Sequence, residues 1–318
     1  MDGGDPAELR TWARWEVPIC FVILAAPAAA SAAAISRVRF DPLKPRDLWI
    51  PSWKRMSPLW LLALRGLALF VLCWLLLEMV LLDGAFAFYF YTQWTFTLVI
   101  IYFLIATFVS ARGCWSYSKH FTADVENRGL LKRDVEENID STVNPETNSN
   151  GKAIRFGSSY GQGDIEQKAG ILENLMQITY QTSAGAVVLT DIVFWGLLVP
   201  FLSVEHFSLD LLMGCMHSVN AVFLLLDTAL NSMPFPWFRI SYFVLWSCIY
   251  VAFQWVLHAC GFSWWPYPFL ELSTPWAPLW YLSLALIHIP CFGLYAVIVK
   301  AKVSFLSKFF PQAYIRPC

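Results

Sequence analysis

Charge is what this sequence has least of. Asp, Glu, Lys and Arg make up 14% of its 318 residues, where a soluble domain carries about 25%. With 58% hydrophobic residues and a mean hydropathy of +0.53, the chain falls outside the soluble class. A net charge of −1 leaves no basic excess for holding nucleic acid, which is excluded as a partner. Paired cysteines are missing too. The eight cysteines are scattered, mostly in apolar segments, and no C-x-x-C pair occurs, so neither a zinc ribbon nor a disulfide framework is legible. The H-x-x-x-H set of a di-iron centre, the H-E-x-x-H zinc helix, the P-loop and the dinucleotide glycine fingerprint are also absent. The sequence therefore calls for no metal and no organic cofactor.

Long apolar runs are abundant instead. Seven stretches, near 17–35, 59–82, 95–111, 183–202, 209–230, 237–259 and 278–299, approach the roughly 20 residues that span a bilayer as a helix. Many of the 16 Trp and 25 Phe sit at the ends of these stretches, where aromatic belts form. The predicted fold is an all-α polytopic membrane bundle of seven transmembrane helices. The first stretch is Ala-rich, contains Pro27 and follows Arg10 and Arg14, so it also fits a cleaved signal, which would leave six. If the helices alternate, 19 of the 22 Lys and Arg fall on one side. The positive-inside rule then predicts an N-terminus outside or lumenal and a C-terminus in the cytosol.

The predicted organisation is a short exoplasmic N-terminus (1–16), helices one to three (17–112), a cytosolic loop (113–182), helices four to seven (183–299) and a cytosolic tail (300–318). Within the loop, 117–137 is charged enough for an amphipathic surface helix. The Asn/Ser/Gly-rich 138–167 reads as disordered. Seven spans with an outside N-terminus invite comparison with receptors. However, the third helix ends in SARGCW without an Asp-Arg pair, and the last lacks Asn-Pro.

The fifth stretch is the informative one. His217, Asn220, Asp227 and Asn231 recur at offsets of 3, 7 and 4, which makes one polar stripe on a helix. Ionisable groups inside a membrane cost several kcal/mol unless they face a partner or a wet cavity. His217, His288 and His258 all fall in the outer half, and Thr95 and Thr97 open the third helix on that side. A hydroxyl beside a buried imidazole is the minimum for nucleophilic catalysis, because the base takes the proton as oxygen attacks. The plainer reading is packing, with His bonded to a neighbouring helix and Thr to its own backbone. Asp191 suits either role. Asp227, near the inner end, reads as a structural carboxylate, solvated or Asn-paired. Arg65 either snorkels or pairs with Glu78 or another helix's acid.

Three ordered segments carry a resemblance: YTQWTFTLVIIYF at 91–103, MHSVNAVFLLLD at 216–227 and WVLHACGFSWWPYPFLE at 255–271. Together they resemble the androgen-induced protein and Rolling stone family of multi-pass membrane proteins, nearest its plant-type Rolling stone-like members. The androgen-induced branch implies a membrane threonine hydrolase of fatty acid esters of hydroxy fatty acids, with Thr and His on separate helices. The Rolling stone branch is associated with cell–cell fusion. His217, with an acid ten residues on at Asp227, matches the family histidine. The family threonine stands four residues after a Trp; here that position is Leu98, and Thr97 and Thr95 are the nearest hydroxyls.

The expected function is therefore a membrane-embedded lipid ester hydrolase. Thr97, or Thr95, would attack an acyl ester arriving from the outer leaflet, and His217 would act as general base. Asn220 would orient His217 or donate to the oxyanion. His258, Tyr267 and Glu271 would line the outer mouth, with His288 and Asp191 in the cleft. The expected partners are membrane lipids and the acyl-ester substrate, in the endoplasmic reticulum or plasma membrane. The rival expectation is a non-catalytic membrane scaffold or interaction protein of Rolling stone type.

Overall fold

Hydrocarbon offers no partner to backbone N–H and C=O groups, so long apolar stretches satisfy them internally as helices. The computed structural model describes residues 12–37, 45–139, 170–202 and 211–315. The described residues form an all-helical fold, and among them are seven helices long and apolar enough to cross a membrane. They are α1 (Glu16–Arg37), α2 (Pro58–Asp83), α3 (Tyr91–Ile139), α4 (Ile171–Val193), α5 (Leu211–Leu230), α6 (Ile240–Ala259) and α7 (Ala277–Phe309). A π turn (Phe194–Leu198) and a last α turn (Val199–Leu202) prolong α4. This is the build of a multi-pass membrane protein. Its outer surface fits: α2 leaves Phe70 and Leu81 66% and 71% exposed, apolar area suited to contact with acyl chains.

α4 is the hub of the bundle. It packs against α3, α5, α6 and α7, while α1 rests on α6 and α7, and α2 on α3 and α5. Its central place explains why α4 carries so many buried polar residues, including Gln177, Gln181, Thr182 and Ser183. It also explains two displaced boundaries. α4 starts at Ile171 rather than near 183, because the polar turns before 183 face other helices and lower the hydropathy without exposing the chain. α3 starts at Tyr91 rather than near 95 and runs on through 117–137 to Ile139. Much of the predicted 113–182 loop is thus helix. Of the stretch expected to be disordered, 140–167 lies outside the described residues.

Local chemistry sets the turns. Ser57 caps α2, its Oγ accepting from the Leu59 N–H, and Pro58 occupies the first helical position, where no N–H is needed. α2 ends at Gly84, whose φ of +62° suits a residue without Cβ. Tyr250 Oη and Gln254 Nε2 both donate to the Tyr89 carbonyl, at 2.7 and 2.8 Å, and fix where α3 begins. Aromatic pairs then hold the 260–272 connection over that start: Tyr89 stacks on Phe262 and Phe86 packs on Trp264. Pro27 lies inside α1 without ending it, and α1 keeps a full 22 residues.

The polar stripe of α5 divides between the two ends of the bundle. At the end where α5 stops, Asp227 is fully buried and paired with Arg65 at 2.7 Å. Tyr102 Oη and Asn231 Nδ2 also donate to it. Arg65 further donates to the Leu48 carbonyl and Ser110 Oγ. Lys302 Nζ donates to the Thr228 and Asn231 carbonyls, capping the helix where its dipole is negative. Asp227 thus has an Asn partner, as its position suggested, and Arg65 answers to an acid on another helix rather than to Glu78.

Candidate functional site

His217 belongs to the opposite end. It lies six residues into α5, about 9 Å along the axis at 1.5 Å per residue. Its ring stacks on Phe194 with centroids 3.7 Å apart and planes 6° from parallel. Phe194 opens the π turn of α4. Pro200 supplies no N–H to a helical ladder, and the Val199 N–H bonds to the Phe194 carbonyl, five residues back. That local widening leaves Asp191 on the last regular turn and Phe194 flat against the imidazole.

A cavity opens beside His217. Its polar wall is built by Tyr91 and Thr92 of α3, Thr190 of α4, Ser247 of α6 and His288 of α7, with Tyr267 from the connection between α6 and α7. Leu189, Val193, Val251, Phe269 and Leu284 make the remainder largely apolar. An apolar chamber with a few convergent polar groups is the usual form of a ligand site, and here the apolar part suits an acyl chain.

Two polar constellations face this cavity. In the first, Thr92 Oγ1 lies 3.5 Å from His217 Nε2, and His217 Nδ1 lies 3.6 Å from Asp191 Oδ1. Neither Nδ1 nor Oδ1 has a hydrogen-bond partner among the described residues, so they face each other alone. A proton on Nδ1 is attracted by the carboxylate, which turns the Nε2 lone pair toward the hydroxyl. Hydroxyl, imidazole and carboxylate thus stand in nucleophile, base and orienter order. Both gaps exceed a formed hydrogen bond, the loose spacing that catalytic pairs show before substrate arrives. Tyr267 Oη accepts from the Tyr91 N–H at 3.2 Å and also interacts with the Thr92 hydroxyl, which sets the phenol beside the same threonine. Burial pushes its phenol up to about 12, so it is a neutral donor at physiological pH.

In the second constellation, Ser247 Oγ lies 2.7 Å from His288 Nε2 and 2.7 Å from Tyr91 Oη. His288 Nδ1 is 2.6 Å from the Leu284 carbonyl, which can only accept, so Nδ1 carries the proton and Nε2 presents its lone pair. Phe243 backs the His288 ring at 4.4 Å. It can do so because Gly185 lets α4 and α6 approach: a Cβ there would come 2.6 Å from Phe243 Cδ1.

The other expected site residues are placed differently. Thr97 and Thr95 have buried hydroxyls; that of Thr97 has no hydrogen-bond partner among the described residues, that of Thr95 is near the Tyr91 phenol, and neither lines the cavity. At 100° per residue, Thr97 is turned about 140° from Thr92 around α3. The hydroxyl beside His217 is Thr92, which the apolar window starting at 95 had left out of the helix. Asn220 is buried, its Oδ1 accepting from the Ala221 N–H. His258 stacks on Trp265 at 3.5 Å with its Nε2 unpartnered, away from the cavity lining. Glu271 accepts from Ser273 Oγ within its own turn and does not line the cavity either. His288, Tyr267 and Asp191 gather around the His217 end of the bundle. Ser247 was missed because a serine in an apolar helix carries no signal of its own. No group of three or more His, Cys, Asp or Glu residues that could hold a metal occurs among the described residues. Comparison with protein-family models, with curated proteins and with solved structures returned no match to this chain.

Proposed function

We propose that this protein is an intramembrane hydrolase of acyl-ester lipids, with Thr92 as nucleophile. The observation that carries the reading is the Thr92–His217–Asp191 line, at 3.5 and 3.6 Å, whose threonine and histidine line a mostly apolar cavity while the carboxylate stands behind them. Thr92 Oγ1 attacks the ester carbonyl as His217 Nε2 takes its proton. Asp191 stabilises the imidazolium so formed, and the Tyr267 hydroxyl donates to the developing oxyanion. His217 then protonates the departing alkoxide. Water, deprotonated by the same ring, releases the acid and restores the threonine.

The distribution of Lys and Arg supports an outer or lumenal location for this end of the bundle. A long-chain ester, such as a fatty acid ester of a hydroxy fatty acid, reaches the cavity sideways from the lipid. Purified protein in vesicles is assayed on such esters beside Thr92→Ala and His217→Ala. Each variant is expected to lose about 100-fold or more in kcat. Equal turnover by wild type and both variants overturns the assignment to Thr92, whereas a wild type without turnover leaves the non-catalytic scaffold.

A further inference from the structure

We propose that Ser247 and His288 form a second nucleophile–base pair in the same cavity, one that takes acyl-ester or phosphonate electrophiles independently of Thr92. The hydrogen-bond directions follow from one fixed point. The Leu284 carbonyl holds the His288 proton on Nδ1, so the Ser247 hydroxyl is the donor to Nε2 at 2.7 Å. Tyr91 Oη then donates to Ser247 Oγ, also at 2.7 Å. A serine oxygen has two lone pairs. One accepts from Tyr91, and the other is left for a ligand in the cavity that Ser247 lines.

The pair has the order of a catalytic unit: an oxygen facing an apolar chamber, a base within normal hydrogen-bond reach, and a third group that fixes the base's tautomer. It is the tighter of the two pairs, 2.7 Å against 3.5 Å for Thr92 and His217. A serine that only eases helix packing usually bonds back to its own helix. Ser247 instead directs both of its bonds to other helices, to Tyr91 on α3 and His288 on α7. In the step, Ser247 Oγ bonds to the electrophilic carbon or phosphorus, and His288 Nε2 takes the serine proton. The bond to the leaving group breaks: an alkoxide departs as the alcohol, taking that proton from His288, whereas fluoride departs as the ion and His288 passes the proton to water.

A long-alkyl fluorophosphonate in the intact protein tests this, with the adduct located by peptide mass spectrometry. The Thr92→Ala background keeps the two nucleophiles distinct. The expected adduct is on Ser247, absent from Thr92→Ala/Ser247→Ala. Its rate falls about 100-fold with His288→Gln, which keeps a hydrogen-bonding amide but cannot take a proton. An unlabelled Ser247 in monodisperse Thr92→Ala protein overturns the proposal, as does labelling that survives His288→Gln. Failure of the Thr92 reading appears separately, as undiminished ester turnover by Thr92→Ala.

Discussion

Asp191→Asn is the sharpest probe of the threonine site, because it removes a charge and little else. The carboxylate oxygen is 3.6 Å from His217 Nδ1. At an effective dielectric constant of about 20, unit charges that far apart attract by about 4–5 kcal/mol. The Asp191 side chain is 21% exposed, so solvent screens part of that; halving it leaves about 2 kcal/mol. In the proposed step the imidazolium forms as Thr92 gives up its proton, so the loss would fall on the transition state rather than on substrate binding. The expected result is a kcat lower by about 30-fold with KM little changed. The assay is steady-state ester hydrolysis in vesicles, with size-exclusion profiles to show intact folding. A variant within about 3-fold of wild type refutes the role given to Asp191, as does a loss confined to KM.

Thr97→Val and Thr95→Val are expected to keep turnover within about 3-fold of wild type, because neither hydroxyl meets His217, whereas Thr92→Val loses about 100-fold; comparative kinetics decide it. Tyr267→Phe removes the proposed oxyanion donor and is expected to lower kcat by about 100-fold, read in the same assay. Arg65→Met leaves the fully buried Asp227 without its guanidinium partner, so thermal unfolding in detergent should show a loss of about 3–5 kcal/mol. The double variant Arg65→Met/Asp227→Leu should recover most of that stability, since an apolar pair of similar volume is often neutral.

Much of the bundle was readable before any coordinates, because hydropathy is a local sum. Each of the seven stretches announces its helix from its own residues, as at 59–82 and 237–259. Helical spacing alone put His217, Asn220, Asp227 and Asn231 on one stripe. The misplaced ends share one cause: α4 before 183 and α3 before 95 are polar where they meet protein, and a hydropathy window cannot tell a protein-facing turn from a solvent-facing one. Thr92 fell outside the expected third helix for that reason.

By itself, then, the sequence determined that the chain is a multi-pass helical bundle and that a histidine is set into one of its helices. Only the tertiary structure decided what that histidine meets. One residue along a helix turns a side chain by about 100°, so the choice among Thr92, Thr95 and Thr97 rests on how α3 is rotated against α5. That rotation is set by packing between residues more than a hundred positions apart, such as Tyr89 held by Tyr250 and Gln254. The same holds for Asp191, which the π turn before Pro200 brings to His217. Ser247, too, stands out only when three helices bring Tyr91 and His288 to its two sides.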